Sequence, residues 1–325
     1  MAEQRTVLTV ATGKKIYVDM AVNLARSFRL WHAASDIGFT LVTDQKQYLP
    51  DDVLSAVKVK EIAPDEFGKG FTPKLSLDKF ADEGQTLFID SDCLIYGDLS
   101  QIFDDFKGHG VSVVGNYINT GEWFGDVTAI CTKLGVEKLP KFNGGVYYLE
   151  KSEKATAVYS KARELEKSYD ELGFLRLRSR PNDEVLIAAA MALNSQTPIP
   201  DDGNSFAELQ NFQSGVESDV FGGKARVFND PNHKFYQPNW PLTEGRPVII
   251  HFLGEQNRSA AYLKEAKRLR YHFVNKYPAV IFKPLTFLNT TLPLTAKDAF
   301  KNIFRPVFRL FFGTRAVPKS ERVVD

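Results

Sequence analysis

The sequence predicts an α/β fold: a mostly parallel central sheet flanked by helices, with a helical C-terminal tail. Strand-like and helix-like segments alternate through the first half, and the apolar strands run out into polar or acidic residues. Such alternation places helices on both faces of a sheet, with ligands gathered at the strand ends. A length of 325 residues at 43% apolar composition supplies core enough for one large domain or two smaller ones.

The elements follow in order. Thr6–Val10 is a β-rich run ending at Ala11-Thr12-Gly13, and Val18–Leu30 then carries apolar residues at helical spacing (Met20, Ala21, Leu24, Ala25, Phe28). Phe39–Val42 and Val57–Val59 read as strands and Leu75–Phe80 as a helical piece. Leu87–Ile89 is a short strand ending in acid, and Val111–Val114 is another. Gly145–Leu149 reads as a strand, Glu153–Asp170 as a polar amphipathic helix, and Asp183–Leu193 as a buried helix whose start is punctuated by Pro181 and Asn182. Thr197–Pro247 holds six of the sixteen prolines and reads as loop-rich, before a last core strand at Val248–Ile250. The expected division is a catalytic domain over 1–260, its nucleotide half near 1–115 and its sugar and acceptor half near 116–260, followed by an extension over 261–325.

Composition excludes several classes. No apolar run exceeds nine residues (Val185–Leu193), too short to span a bilayer. Two cysteines, Cys93 and Cys131, make neither a disulfide scaffold nor a four-thiolate zinc site. With Glu3 leading directly into a strand, no cleaved signal peptide is expected, and the expected location is cytoplasmic, peripheral on the inner face of a membrane. The net charge of +1 conceals a basic end: residues 297–325 carry seven Lys/Arg against three Asp/Glu. A slightly acidic body argues against nucleic acid as a partner.

The sharpest local feature is the strand Leu87–Ile89 running into Asp90-Ser91-Asp92. Carboxylates two apart at a strand end can reach one hard divalent cation, which would neutralise a departing diphosphate. The alternative is a solvated acidic turn. Asn143-Gly144-Gly145 precedes the next strand, where glycine permits positive φ or close approach of backbone to a ligand. His251 leaves the last core strand and heads His251-Phe-Leu-Gly254.

In this order these pieces resemble glycosyltransferase family 8, retaining sugar transferases of the GT-A fold. The resembling segments are Leu87–Ile95, Phe142–Val146, Asn182–Leu186 and His251–Gly254, with Ala11–Gly13, Tyr17 and Ala21–Ser27 similar to the family's first strand and helix. The resemblance covers about residues 6–255 and implies a UDP-sugar donor and Mn²⁺ or Mg²⁺. Asp90, Asp92 and His251 would ligate the metal, with Asp90 and Ser91 beside the nucleotide. Ala11, Thr12 and Tyr17 would hold the base, Lys74 would meet phosphate or sugar, and Asn143, Gly144 and Gly145 would line the sugar. Gly254 belongs to the phosphate loop.

Two departures stand out. Where the family has Asp-Gln, this chain has Asn182-Asp183, so Asp183 replaces the glutamine facing the anomeric carbon. It could act there as nucleophile or electrostatic stabiliser, with Glu184 inheriting the role if the register slips by one, or both acids could merely favour a helix start. Where the family places a lysine three residues after Gly254, this chain has Asn257, leaving Arg258 as the phosphate cation or as the start of a basic helix.

Acceptor selectivity is expected from Thr197–Pro247, with Asp201, Asp202, Lys224 and Trp240 as candidates, and the acceptor from glycans or lipid-linked glycans. In the tail, Phe300, Ile303, Phe304, Val307, Phe308, Phe311 and Phe312 recur at helical spacing beside Lys297, Lys301, Arg305 and Arg309, with Pro306 set to kink or divide the helix. An aromatic face beside a basic one suits an anionic membrane surface, through residues 297–312; the alternative is a helix packed on the catalytic domain. Rival readings are a catalytically silent nucleotide-sugar-binding module, a sugar-phosphate nucleotidyltransferase, and a phosphatase using the Asp-x-Asp site.

Overall fold

A computed structural model describes residues 4–66, 68 and 72–313. The chain opens with β1 (Arg5–Ala11), α1 (Lys15–His32), β2 (Gly38–Thr43), the single turn α2 (Asp51–Leu54), β3 (Lys58–Glu61), α3 (Leu77–Phe80) and β4 (Gln85–Ile89). β1 and β4 are buried along nearly their whole length, as parallel strands covered on both faces must be. Helix α1 buries Val18, Ala21, Leu24, Ala25 and Phe28 against the sheet, the stripe that helical spacing dictates.

The middle of the chain gives β5 (Cys93–Ile95), α4 (Ser100–Phe106), β6 (Val111–Ser112), β7 (Gly115–Ile118), α5 (Val127–Leu134), β8 (Leu139–Phe142), β9 (Val146–Glu150), α6 (Glu153–Glu166) and α7 (Asp183–Leu193). The central sheet runs β3-β2-β1-β4-β9-β6. β3, β2, β1 and β4 are mutually parallel, and β9 lies antiparallel to both of its neighbours. The sheet is therefore parallel on one side and reversed at β9. β9, which follows β4 by more than fifty residues, sits inside the sheet between β4 and β6.

The remainder holds β10 (Phe206–Glu208), β11 (Gly215–Asp219), β12 (Lys224–Phe228), β13 (Glu244–Gly245), β14 (Ile249–His251), α8 (Ala260–Phe273), α9 (Ala279–Thr286) and α10 (Leu292–Phe312). The stretch from Thr197 to Pro247 is loop-rich, as its prolines suggest, with short strands set into it. Four strands occupy that stretch, two of them only two or three residues long, too short to show a period. β10 joins β14 in parallel and β14 joins β5 antiparallel, giving a small second sheet. Val111–Val114 is likewise shorter than read: the strand ends at Ser112, and Val114 bridges to Ile199 instead.

At the C-terminal end, Phe282 of α9 is buried against Phe221, which anchors that helix to the body. Helix α10 runs unbroken through Pro306, so of the two expected effects, a kink or a division, the division does not occur. Its Phe300, Ile303, Phe304, Val307, Phe308, Phe311 and Phe312 all stand exposed, Phe311 and Phe312 by more than 70%. No helix among the described residues is long and apolar enough to cross a membrane. The part of the tail beyond residue 313 lies outside the described residues.

Candidate active site

The chain path runs outward from β1 through β2 and β3, then returns to the other side of β1 as β4. Strand ends diverge at such a switch point and leave a crevice. A cavity of about 1250 Å³ fills it, walled by Thr12, Gly13 and Tyr17 after β1, Asp44 and Tyr48 after β2, and Asp90 and Ser91 after β4. A second cavity, of about 830 Å³, is walled by Trp123, Asn143, Gly144, Asp183, Glu184, Glu208, Trp240 and His251. Lys74, Asp90 and Arg178 line both and mark the seam between them.

At this seam Lys74 Nζ donates to Asp90 Oδ2 at 2.7 Å and to the Gly144 carbonyl at 2.9 Å, and lies 4.0 Å from Asp183 Oδ2. Burial alone would lower the lysine's pKa, but Asp90 and Asp183 outweigh it and hold the ammonium charged. Burial likewise opposes ionisation of Asp90, and Lys74 and His251 overcome it, so its carboxyl lies below the usual range.

Asp92 and His251 face each other one layer deeper. Their Oδ1 and Nε2 atoms stand 2.9 Å apart, yet Nε2 is buried without a hydrogen-bond partner, because the carboxylate lies off the ring's donor direction. His251 Nδ1 is 2.7 Å from Asn143 Oδ1, which also accepts the Gly145 amide at 3.0 Å. That oxygen can only accept, so Nδ1 carries a proton, and Nε2, beside Asp92 with no hydrogen bond made, is the ring atom left to meet a ligand. Two ligands at about 2.1 Å from one ion on adjacent octahedral positions stand roughly 3 Å apart. The residues present therefore fit a divalent cation. Cys93 Sγ lies within 4.8 Å of the same atoms, but burial and the charges of Asp92 and Asp90 push its thiol well up, and it stays protonated. Asp90 is outside that tight group, engaged by Lys74 instead.

Asn143 is held in turn by Glu208, which accepts from its Nδ2 and from Asn211 at 2.8 Å. Glu208, His251 and Cys93 occupy one rung across β10, β14 and β5. Sequence reasoning missed Glu208: one acid in a three-residue strand carries no signal. With both ends of its amide engaged, Asn143 positions His251.

Helix α7 brings the remaining acids. Asn182 is its cap, accepting the Glu184 amide at 2.8 Å. Asp183 and Glu184 reach across the cavity instead of capping: the Tyr147 hydroxyl donates to Asp183 Oδ2, and the Gly144 amide donates to Glu184 Oε1 at 2.8 Å. Burial raises both carboxyls, and Asp183's charge pushes Glu184 further, to about 8. Lys74 and the Tyr147 hydroxyl oppose the rise at Asp183 without reversing it, and the Gly144 amide and Lys74 oppose it at Glu184.

Gly144 and Gly145 do not adopt positive φ. Closeness is the reason for them: a Cβ on Gly144 would come within 2.9 Å of the Tyr147 hydroxyl, and one on Gly145 within 2.6 Å of His251 Nδ1. Three expected contacts are not brought together with the rest. Ala11 is buried inside β1 while Val10 and Thr12 face the first cavity, Gly254 turns the chain at φ 62, and Arg258 is exposed beside Glu255; none of the three lines either cavity. Of the acceptor candidates, Asp201 and Trp240 line the second cavity, and Asp202 and Lys224 line neither.

No family model and no curated protein matches the sequence. Among solved structures, the galactosyltransferase LgtC, in complex with donor and acceptor sugar analogs, is similar over 77% of this chain and 87% of its own, at 12% identity and a TM-score of 0.51. The fold is GT-A. Weaker likenesses are mouse xyloside xylosyltransferase 1 (16% identity, 76% of this chain and 97% of that one, TM-score 0.47) and GlyE of Streptococcus pneumoniae TIGR4 (15%, 77% and 55%, 0.45). In the GT-A frame, the first cavity lies at the β1/β4 switch point and the second lies beyond the β4 end, toward β9 and α7.

Proposed function

We propose that this chain is a metal-dependent, retaining glycosyltransferase that moves a hexose from a UDP-sugar to a glycan or lipid-linked glycan. The observation that carries the reading is the seam: two cavities, one sized for a nucleotide and one for sugars, share Lys74 and Asp90 beside the Asp92–His251 pair. Thr12, Tyr17 and Ser91 would receive the nucleoside, with Asp44 fixing the Gly13 amide at 3.0 Å. Asp90, Asp92 and His251 would hold Mn²⁺ or Mg²⁺, which supplies charge neutralisation for a departing diphosphate.

In the transfer, the bond between the sugar's anomeric carbon and the diphosphate oxygen breaks, and the electron pair leaves with the diphosphate. An acceptor hydroxyl oxygen bonds to the anomeric carbon, and its proton passes to the leaving phosphate. Lys74 stabilises the charge developing on the leaving group. Asp183, oriented by Tyr147 beside Lys74, stabilises positive charge at the anomeric carbon in its carboxylate form. Trp240 and Trp123 offer apolar faces for the acceptor's sugar rings. The exposed aromatic stripe of α10, flanked by Lys297, Lys301, Arg305 and Arg309, would lie on an anionic membrane and bring the site to a lipid-linked acceptor.

Calorimetric titration with UDP, GDP, ADP and CMP, in Mn²⁺ and then in EDTA, tests the reading. Tight UDP binding that chelation removes is expected. Failure of all four to bind overturns it.

A further inference from the structure

Lys74 at the seam is already engaged by Asp90 and lies 4.0 Å from Asp183, and the C-terminal loop adds no second cation: Asn257 stands in the lysine's place and Arg258 lines neither cavity. The segment before α7 holds Arg178, at the seam, and Arg180, and the transfer described above gives neither a role. Leu177 and Arg180 exchange backbone hydrogen bonds, at 2.9 Å and 3.0 Å, closing a two-residue turn whose central residues, Arg178 and Ser179, have φ 53 and φ 60. Two consecutive left-handed residues make a type I′ turn, a conformation that favours glycine and asparagine and is unfavourable for arginine.

Its neighbours pin this turn on both sides. The Leu175 amide donates to the Phe124 carbonyl at 2.9 Å, and the Asn182 amide donates to the Tyr169 hydroxyl at 3.1 Å. Arg176 faces outward onto Asp170. Arg178 lines both cavities and Arg180 the first, and among the described residues neither guanidinium has a hydrogen-bond or ion-pair partner. An unpaired guanidinium at the junction of a nucleotide cavity and a sugar cavity is a bidentate donor with no acceptor yet in place.

We infer that Arg178 binds the sugar-side phosphate of the donor diphosphate, so that the strained turn before α7 replaces the missing lysine of the C-terminal loop. Arg180, on the first cavity alone, faces the nucleoside-side phosphate. The inference rests on the donor reading proposed above.

The test is calorimetric titration of UDP and of UMP, in Mn²⁺, into the full chain and its Arg178→Gly, Arg178→Lys and Arg258→Ala variants, with thermal melts alongside. Glycine suits φ 53, so Arg178→Gly should melt no lower than the parent while losing about 10- to 100-fold in UDP affinity. UMP, lacking the second phosphate, should bind the parent and Arg178→Gly alike. Lysine should recover part of the loss, and Arg258→Ala should leave UDP binding unchanged. If the parent binds UDP and Arg178→Gly binds it as tightly, this inference is wrong while the donor reading stands. If the parent binds no nucleotide, the donor reading falls, and this inference with it.

Discussion

Replacing Gly145 with alanine adds one methyl group, and the structure says where it goes. The new Cβ would lie 2.6 Å from His251 Nδ1, 2.9 Å from Phe206 Cζ and 3.0 Å from Asn143 Oδ1. Ordinary contact begins near 3.4 Å, so the imidazole must retreat by about 0.8 Å in a packed interior that yields little. Overpacking of this kind costs about 1–3 kcal/mol of stability. The displaced ring also loses its 2.7 Å bond to Asn143, and such loss of ligand orientation typically lowers metal affinity about 10- to 100-fold. Gly38→Ala is the control, since its Cβ meets nothing nearer than Thr6 Oγ1 at 3.6 Å. Thermal melts and Mn²⁺-dependent UDP titration read both effects. A Gly145→Ala protein that melts and binds Mn²⁺ and UDP like the parent would show that the 143–145 segment does not hold His251.

Other outcomes follow from the same geometry. Asp183→Asn should lower turnover at least 10-fold with UDP-sugar affinity little changed, measured by initial rates and calorimetry; an unchanged rate returns Asp183 to a structural role. Glu184, with its carboxyl at about 8 when folded against 4.5 for the free side chain, makes stability depend on pH. Below about pH 4.5 both folded and unfolded chains hold the proton and its contribution is intact. Between there and about pH 8 only the unfolded chain releases it, so stability falls by up to roughly 5 kcal/mol. Glu184→Gln keeps an oxygen for the Gly144 amide and should flatten that slope in denaturant titrations run from pH 5 to 8; equal slopes would contradict the assignment. Removing residues 297–325 should release the protein from anionic vesicles in a sedimentation assay without lowering its melting temperature, and undiminished binding would retire the membrane role of α10.

How much of this was legible in sequence depended on how local each signal was. Asp183–Leu193 was read to the residue, because a nine-residue apolar run behind Pro181 and Asn182 has little alternative. Asp90 and Asp92 stood out because an apolar strand ended in two acids. The role of Tyr147 was hidden, since a tyrosine in a β-strand reads as packing and its bond to Asp183 spans 36 residues. Arg178 was invisible for another reason: its turn has none of the glycine or asparagine that marks a type I′ turn. The glycines at 144 and 145 are plain in the sequence, but what demands them is crowding by His251 and Tyr147, and crowding is a property of the assembled fold.

The rung that joins Glu208, His251 and Cys93 has a kinetic meaning. Its members, with Asn143 and Asp92, come from four separated stretches of chain, and His251 meets Asp92 and Asn143 only once β14 has slotted between β10 and β5. Closing loops of that length is slow compared with forming α1 or α7. During refolding, helical signal should thus return well before affinity for a divalent ion does. The ion becomes a clock for the last step of assembly: a chain that has acquired its helices but not its metal affinity has yet to insert its final core strand.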